Sequence, residues 1–499
     1  MGEAKQGLGK LTFNRSVKLL GRDERLTGDA GALLLREADH RLRLTESLTA
    51  QLRDPRDPTK IRYTLLELLR ERLYALAQGY DAQDDLDQLA HDPALKIAVW
   101  DRPGEQVLAE RLASQPTQSR LIDILTRSLG NPAALREALA DWCDRHLKAG
   151  GGDHAARRIT VDIDSFTIET HGHQQGTRYN GHYRVTCYHP LVAGYTVAGD
   201  YDGFQHGQRL GQGFIHAILR AGHVHTASGA KRFFREVIRK SRMLGYVVDL
   251  RIDAGFTGGE ILDMLSDEGV HFLGRLKSNA RLDALAAPYL TRPVGRPPKD
   301  GYEFTVELGL YQADSWRHPQ RVILVVVDQP DAKTGQLNLQ PDYFFLVTDR
   351  SAEECSGVAT LEHYRQRGTF EDRLGEFRAT VGPHLSSPTF AENETLLLLS
   401  LLSTNLVNML RCEVENAGGA CWDLGRFQRR VLKAGGRVAK HSRRLLITLA
   451  AAVTPIWQRL LHCFERWRLP ARFALPGGSR PRRYRSLPRH AFLSEVVRE

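Results

Sequence analysis

Two carboxylates stand two residues apart in a run that otherwise reads as a β-strand. In ITVDIDSFTIET, from Ile159 to Thr170, apolar and β-branched residues predominate and no helical stripe fits. Alternation places Val161 and Ile163 on one face and Asp162 and Asp164 on the other. Ionised carboxylates on one face of a core strand lose hydration and repel each other, so they require positive charge beside them. A divalent metal is the simplest such partner; an edge strand with its acidic face in water is the other reading. A further acid, Asp253, closes the strand-like run YVVDLRID just before a Gly-containing turn. The carboxyl end of a strand in an open α/β sheet is a common place for chemistry, although such an Asp also caps helices. Glu371 lies in EHYRQRGTFEDRLGEFRAT, where Tyr364, Arg367, Glu371 and Arg378 follow one another at intervals of three, four and seven. On a helix, those spacings put the four side chains on approximately one face, with Gly368-Thr369 as a local weak point. Asp164, Asp253 and Glu371 together are a donor set for two Mg²⁺ ions about 3.5–4 Å apart across a phosphodiester. One ion would activate water or a 3′-hydroxyl and the other would stabilise the leaving oxygen.

The surrounding chain alternates in a way that suits an α/β core. A first strand at 159–170 is followed by strand-like segments at 182–186 and 195–198, and helices are expected over 211–221 and 231–244. The strand ending at Asp253 is followed by a loop and helix, and then by the strand VHFLGRLK. From Arg281 the composition shifts to a Pro/Gly/Lys/Arg-rich loop and three strand-like runs, a β-rich insertion. The first 150 residues read as helical. Within 103–130, GEQVLAERLAS and SRLIDILTRSLG flank a short QPTQ turn, the outline of a helix-turn-helix with Gln118, Arg120 and Arg127 available to DNA. Two amphipathic helices and a turn are also ordinary in helical domains.

The composition supports a polyanionic partner. Formal net charge is +10, and between Gly425 and His490 seventeen Lys or Arg residues accompany a single acid, Glu465. Trp457, Trp467, Phe473 and Tyr484 are interleaved with them, a pattern that fits a phosphate-binding surface. Six scattered cysteines without a CxxC pair argue against a disulfide framework or structural zinc, and suit a reducing cytosol. The apolar run from Thr395 to Leu410 contains Ser400, Ser403, Thr404, Asn405 and Asn408, and reads as a buried helix, not a membrane span.

These residues carry a resemblance. Tyr364, Arg367, Glu371 and Arg378 match a Y-x2-R-x3-E-x6-K signature, with Arg in place of the final Lys. Together with Asp164 in DIDSFT, the HGHQQGTRYNGHY and YHPL segments, Asp253 in RIDAGF, and the SQPTQSR and DQLAHDPALK segments, the chain resembles a DDE transposase of bacterial insertion sequences, family 1380. The Arg keeps the charge of the signature Lys but changes its reach and hydrogen-bond geometry. The resemblance implies an α/β, RNase H-like catalytic core interrupted by a β-rich insertion, with a helical N-terminal DNA-binding domain and a helical, basic C-terminal region. It divides the chain into 1–150 for end recognition, 151–280 and 351–411 for the two parts of the core, 281–350 for the insertion, and 412–499 for DNA binding and dimerisation.

By the same resemblance, Asp164, Asp253 and Glu371 are the catalytic metal ligands for two Mg²⁺ ions, with Mn²⁺ able to substitute. Tyr364, Arg367 and Arg378 bind phosphates at the transposon end, and Asp162 supports the site from beside Asp164. Trp316 or Tyr343 stacks on a flipped base, the sequence not choosing between them. The implied partners are double-stranded DNA, as terminal inverted repeats and as target, and a second copy of the chain in a synaptic dimer. The implied location is the bacterial cytoplasm, on the nucleoid when DNA is bound, with no membrane partner. Two other functions share the same features: a transposase-derived DNA-binding regulator without catalysis, and a metal-dependent defence nuclease without strand transfer.

Overall fold

Apolar residues at helical spacing in the first 150 residues fold as α1 (Ala32–Leu42), α2 (Leu65–Ala77), α3 (Gln115–Arg127) and α4 (Asn131–Ala149), with shorter helical pieces between them. The structure is a computed structural model. It describes residues 6–473 apart from 22–23, 152–153, 155–156, 199–208, 246, 293–300, 331–337, 339, 383, 443 and 471–472. Thr64 and Glu67 cap α2 reciprocally, each side chain accepting from the other residue's backbone N–H. The expected helix-turn-helix takes another form. Gly104–Leu108 is a short 3-10 segment, and QPTQ is the first turn of α3, where Pro116 fits because helical N–H groups there lack partners anyway.

Eight strands form the central mixed sheet: β1 (Arg158–Ser165), β2 (Leu191–Ala198), β3 (Arg209–Ile218), β4 (Val247–Ile252), β5 (His271–Leu276), β6 (Tyr302–Tyr311), β7 (Gln320–Asp328) and β8 (Asp342–Thr348). Their spatial order is β6-β7-β8-β5-β4-β1-β2-β3. β1, β2 and β3 form an antiparallel meander, and β1, β4 and β5 run parallel. This arrangement is consistent with an RNase H-like core. The strands of the expected β-rich insertion extend the same sheet, because β8 pairs antiparallel with β5 from Leu273↔Thr348 to Leu276↔Phe345. The expected alternation differs in two places: 182–186, expected to be a strand, is turn up to 184 and then joins Val185–Tyr188 of a separate three-stranded sheet, and 211–221, expected to be a helix, is mostly β3. Packing decides the second. A Cβ at Gly211 would lie 2.7 Å from Leu147 of α4, and one at Gly213 would lie 2.6 Å from the Asn405 side chain, so these glycines let helices approach the strand closely.

Helices α5 (Ala230–Leu244) and α6 (Gly259–Asp267) follow β3 and β4. The helix expected to carry Tyr364 through Arg378 on one face is divided into α7 (Gly357–Arg365) and α8 (Gly368–Thr380), with Gln366 and Arg367 at the junction. Next comes α9 (Phe390–Asn416), long and apolar enough to cross a membrane, but with its apolar window wholly buried inside the protein. The C-terminal part is helical at α10 (Thr454–Arg466) and also contains a hairpin, Gly436–His441 with Arg444–Leu449. That hairpin pairs with Arg25–Thr27, and Leu34, Leu68, Leu121, Leu398 and Leu460 share one apolar core, so the N-terminal and C-terminal regions fold together. Tyr484, the end of the basic run and much of the Pro/Gly-rich loop lie outside the described residues.

Helix α8 rests on β2 through Phe370, which is fully buried. A Cβ on Gly194 would come within 2.2 Å of the Phe370 ring, so this close approach requires glycine. Gly194→Val should therefore destabilise the fold by about 1–3 kcal/mol through overpacking. A lower midpoint in denaturant unfolding, with an unchanged slope, is the expected result.

Candidate active site

The parallel pairing of β1 with β4 aligns Asp162 with Arg251. Val161 and Ile163 enter the apolar core on one side of the sheet together with Leu250 and Ile252. Asp162 is fully buried and meets Arg251 in a two-pronged ion pair, Nε–Oδ1 2.7 Å and Nη2–Oδ2 2.7 Å. Arg251 also donates through Nη1 to the His363 carbonyl at 3.0 Å. Asp162 therefore ties β1 to the end of α7 through Arg251.

Asp164 lies two residues further along the strand, near its carboxyl end. Its Oδ1 accepts the Ser165 N–H at 2.8 Å, and its Oδ2 lies 2.8 Å from Arg367 Nη2. The other arm of the same guanidinium, Nη1, donates to Glu371 Oε1 at 2.6 Å. Glu371 is in the first turn of α8 and is exposed, with 59% of its side-chain surface accessible, whereas Arg367 is buried. Asp253 stands in the turn after β4, where its carbonyl accepts the Phe256 N–H at 2.9 Å. Burial pushes the Asp164 carboxyl up to about 6; Arg367 and the Ser165 amide pull it down, and the nearby charges of Asp253 and Glu371 push it up again. Burial works against the Arg367 charge too, but Asp164, Tyr364, Asp253 and Glu371 outweigh it and hold its pKa above the ordinary value.

The structure thus brings Asp164, Arg367 and Glu371 into direct contact, with Asp253 and Tyr364 in electrostatic range. Burial raises the half-buried Tyr364 phenol above its usual range. Arg378 is farther along α8, with its guanidinium 5.9 Å from the centre of the Phe166 ring. It lines a cavity of about 450 Å³ with Tyr183, Ile168 and Thr167. Two arginines outside the motif also position the site. Arg251 holds Asp162, and Arg373 pins α8 to β2 by donating to the Tyr195 carbonyl at 3.0 Å and Thr196 Oγ1 at 2.9 Å. Arg251 is legible in retrospect as a cation on the acid-bearing face of the RID strand, two residues before Asp253. Nothing in the spacing of Arg373 distinguishes it from a solvent-facing residue.

The remaining candidate residues lie elsewhere. Gln118 faces the helical core instead of solvent, donating to Glu71 Oε2 at 2.9 Å, and burial pushes the Glu71 carboxyl up to about 8. Arg120 and Arg127 are exposed on α3. Trp316 is buried edge-on against Tyr311, with ring centres 5.7 Å apart, so its faces are not open to a base. Tyr343 is partly buried and donates its hydroxyl to Asp283 at 3.0 Å.

Among the described residues, no group of three or more His, Cys, Asp or Glu side chains is gathered as a metal-binding cluster. Arg367 stands between two of the three carboxylates instead. The donor chemistry still fits a hard divalent cation: all three groups offer carboxylate oxygens, and Asp164 is raised to about 6 because the local positive charge does not fully offset its burial and acidic neighbours.

Comparison with known proteins matches residues 10–469 to the family described as Transposase DDE domain group 1. No curated protein matches the chain. Among solved structures, the chain is similar to the piggyBac transposase in a synaptic complex with hairpin DNA, at 12% identity over 80% of this chain and 78% of that one, with a TM-score of 0.40.

Two stability effects follow from this geometry. An acid whose folded pKa is raised favours the fold when protonated. The contribution of Asp164 is therefore complete below its unfolded value near 3.8 and is lost as pH rises through about 6. Asp164→Asn, which mimics the neutral form, should stabilise the chain by up to about 3 kcal/mol at pH 7–8. Melting temperatures across pH should show that advantage disappearing below pH 4. Asp162→Ala leaves Arg251 buried without its carboxylate and should cost about 3–5 kcal/mol in denaturant unfolding.

Proposed function

Because the chain belongs to the Transposase DDE domain group 1 family, we propose that it is an active DNA transposase whose acids are Asp164, Asp253 and Glu371. The observation that carries this reading is the single guanidinium of Arg367 bridging Asp164 and Glu371 beside Asp253, at the end of the central parallel strands. Within the family we assign it to the insertion-sequence group 1380, on the Tyr364, Arg367, Glu371 and Arg378 spacing and the DIDSFT and RIDAGF segments.

The three carboxylates would hold two Mg²⁺ ions, or Mn²⁺ in their place. When bound, the metal supplies activation of the attacking hydroxyl and stabilisation of the leaving oxygen. Arg367, with its planar fork, would take a phosphate of the transposon end, and Tyr364 and Arg378 would flank it along α7 and α8. Arg251 and Arg373 would hold α7 and α8 against the sheet so that Glu371 stays opposite Asp164. The substrate is double-stranded DNA carrying terminal inverted repeats. The chain would cleave at the repeat and join the 3′-hydroxyl to target DNA, with second-strand cleavage through a hairpin as one route. The +10 charge and the basic run after Gly425 support a polyanionic partner.

Residues 1–150 would recognise the repeat, with exposed Arg120 and Arg127 as contacts, and 412–499 would add DNA binding and dimerisation. Residues 151–280 and 351–411 would carry the chemistry, and 281–350 would extend the sheet between them. The working assembly would be a synaptic homodimer on the nucleoid, in the cytoplasm.

Incubating the full chain with Mg²⁺ and DNA that carries the inverted repeats flanking its gene tests this reading. End cleavage and joining to a target plasmid are expected. Asp164→Ala, Asp253→Ala and Glu371→Ala should each reduce product at least a thousandfold while leaving most end binding. Normal cleavage by any one variant removes that residue from the assignment. End binding without cleavage under any metal condition identifies a regulator, and cleavage without joining identifies a nuclease.

A further inference from the structure

The Arg367 guanidinium touches Asp164 at 2.8 Å and Glu371 at 2.6 Å, which places one positive charge between two carboxylates proposed as metal ligands. The arginine is held less completely than the other cations of this face. Its Nε is buried and has no hydrogen-bond partner among the described residues, whereas Arg251 uses Nε, Nη1 and Nη2 on Asp162 and the His363 carbonyl. Arg367 also sits at the junction of α7 and α8, outside the regular turns of either helix. One end of the bridge, Glu371, is exposed. The bridge therefore joins a partly buried strand residue to a solvent-facing helix residue through a buried guanidinium that is itself only partly hydrogen-bonded.

A cation cannot share these oxygens with a guanidinium at hydrogen-bonding distance without strong like-charge repulsion. We propose that Arg367 is an internal counter-ion, holding Asp164 and Glu371 in the metal-free chain and released from them by a divalent cation. Released, its planar fork becomes available to a DNA phosphate, so metal and phosphate bind with positive coupling. The inference rests on the acid assignment made above, but the two are separable by experiment.

The test is calorimetric titration of Mn²⁺ into the full chain without DNA. Arg367→Gln removes the competing charge and should bind Mn²⁺ at least tenfold more tightly than the unaltered chain. Arg367→Lys keeps a charge that cannot span both carboxylates as the fork does, and should fall between them; it decides the same question if the Gln variant fails to fold, as judged by circular dichroism melting. In the unaltered chain, Ca²⁺ should tighten binding of an inverted-repeat duplex, and Arg367→Gln should abolish that increment. Equal or weaker Mn²⁺ binding by folded Arg367 variants overturns the counter-ion role. If Asp253→Asn abolishes Mn²⁺ binding in that case, the acid assignment stands without it. If no form of the chain binds Mn²⁺, both fall together.

Discussion

Carboxylates on one face of two adjacent parallel strands must be matched by positive charge, and the arrangement of this protein follows from how that matching is done. β1 contributes Asp162 and Asp164, β4 contributes Asp249, and Asp253 follows in the turn. Arginines answer them: Arg251 pairs with Asp162, Arg350 with Asp249, and Arg367 with Asp164. Each pair also fixes an element. Arg251 reaches the last turn of α7 through the His363 carbonyl, Arg350 brings the chain after β8 against β4, and Arg367 sets the α7–α8 junction over β1. Buried ion pairs contribute little net stability once desolvation is counted, yet removing one partner is costly. Their effect here is to specify which helix lies on which strand.

The acids differ in how completely they are compensated, and that difference separates structure from chemistry. Asp162, with two short bonds to Arg251, is satisfied and enclosed. Asp164 has one arm of the Arg367 guanidinium, whose other arm goes to Glu371, and a single backbone amide, and it remains raised to about 6. A carboxylate left short of positive charge in this way weakens the fold at neutral pH and favours binding of a cation. Two residues of the same type, two positions apart on one strand, thus take opposite parts because of what stands beside each.

Much of this is legible in the chain. Alternation in ITVDIDSFTIET separates apolar from acidic faces, and the position of Asp253 after YVVDLRID marks a strand end. The weak point at Gly368-Thr369 anticipates the division of α7 from α8, although the break falls at Gln366-Arg367. What is not legible depends on distant partners. GQGFIHAIL has no strong local preference and becomes β3 because Asn405, far along the chain, bonds both the N–H and the carbonyl of Phe214, at 2.7 and 2.8 Å. QPTQ looks like a turn, but Pro116 is equally at home in the first turn of α3. Gln118 looks like a surface residue of that helix, yet it is drawn inward by buried Glu71. For β3 and Gln118 a tertiary contact outweighs a local signal of a few tenths to about 1 kcal/mol, whereas QPTQ is a local signal that fits two structures equally.

The same logic explains the polar residues in the apolar helix α9. Ser403 and Thr404 return their hydroxyls to the Leu399 and Ser400 carbonyls, so they add no unsatisfied groups. Asn393 donates to the Tyr188 hydroxyl at 3.0 Å, Asn405 pairs with β3, and Arg411 donates to Glu376 of α8 at 2.9 Å. These three partners lie at successive levels along the helix. A shift of α9 by one residue would break each of these contacts with neighbouring elements, at about 1–3 kcal/mol for each buried polar group that lost its partner. The apolar residues supply the burial and the polar ones set the register. Glu376 is on the helix that carries Glu371, so the contact with Arg411 also fixes how α8 lies against α9. The large helical region built from the N-terminal and C-terminal parts of the chain is therefore joined to the helix that carries Glu371 by a specified polar contact as well as by apolar packing.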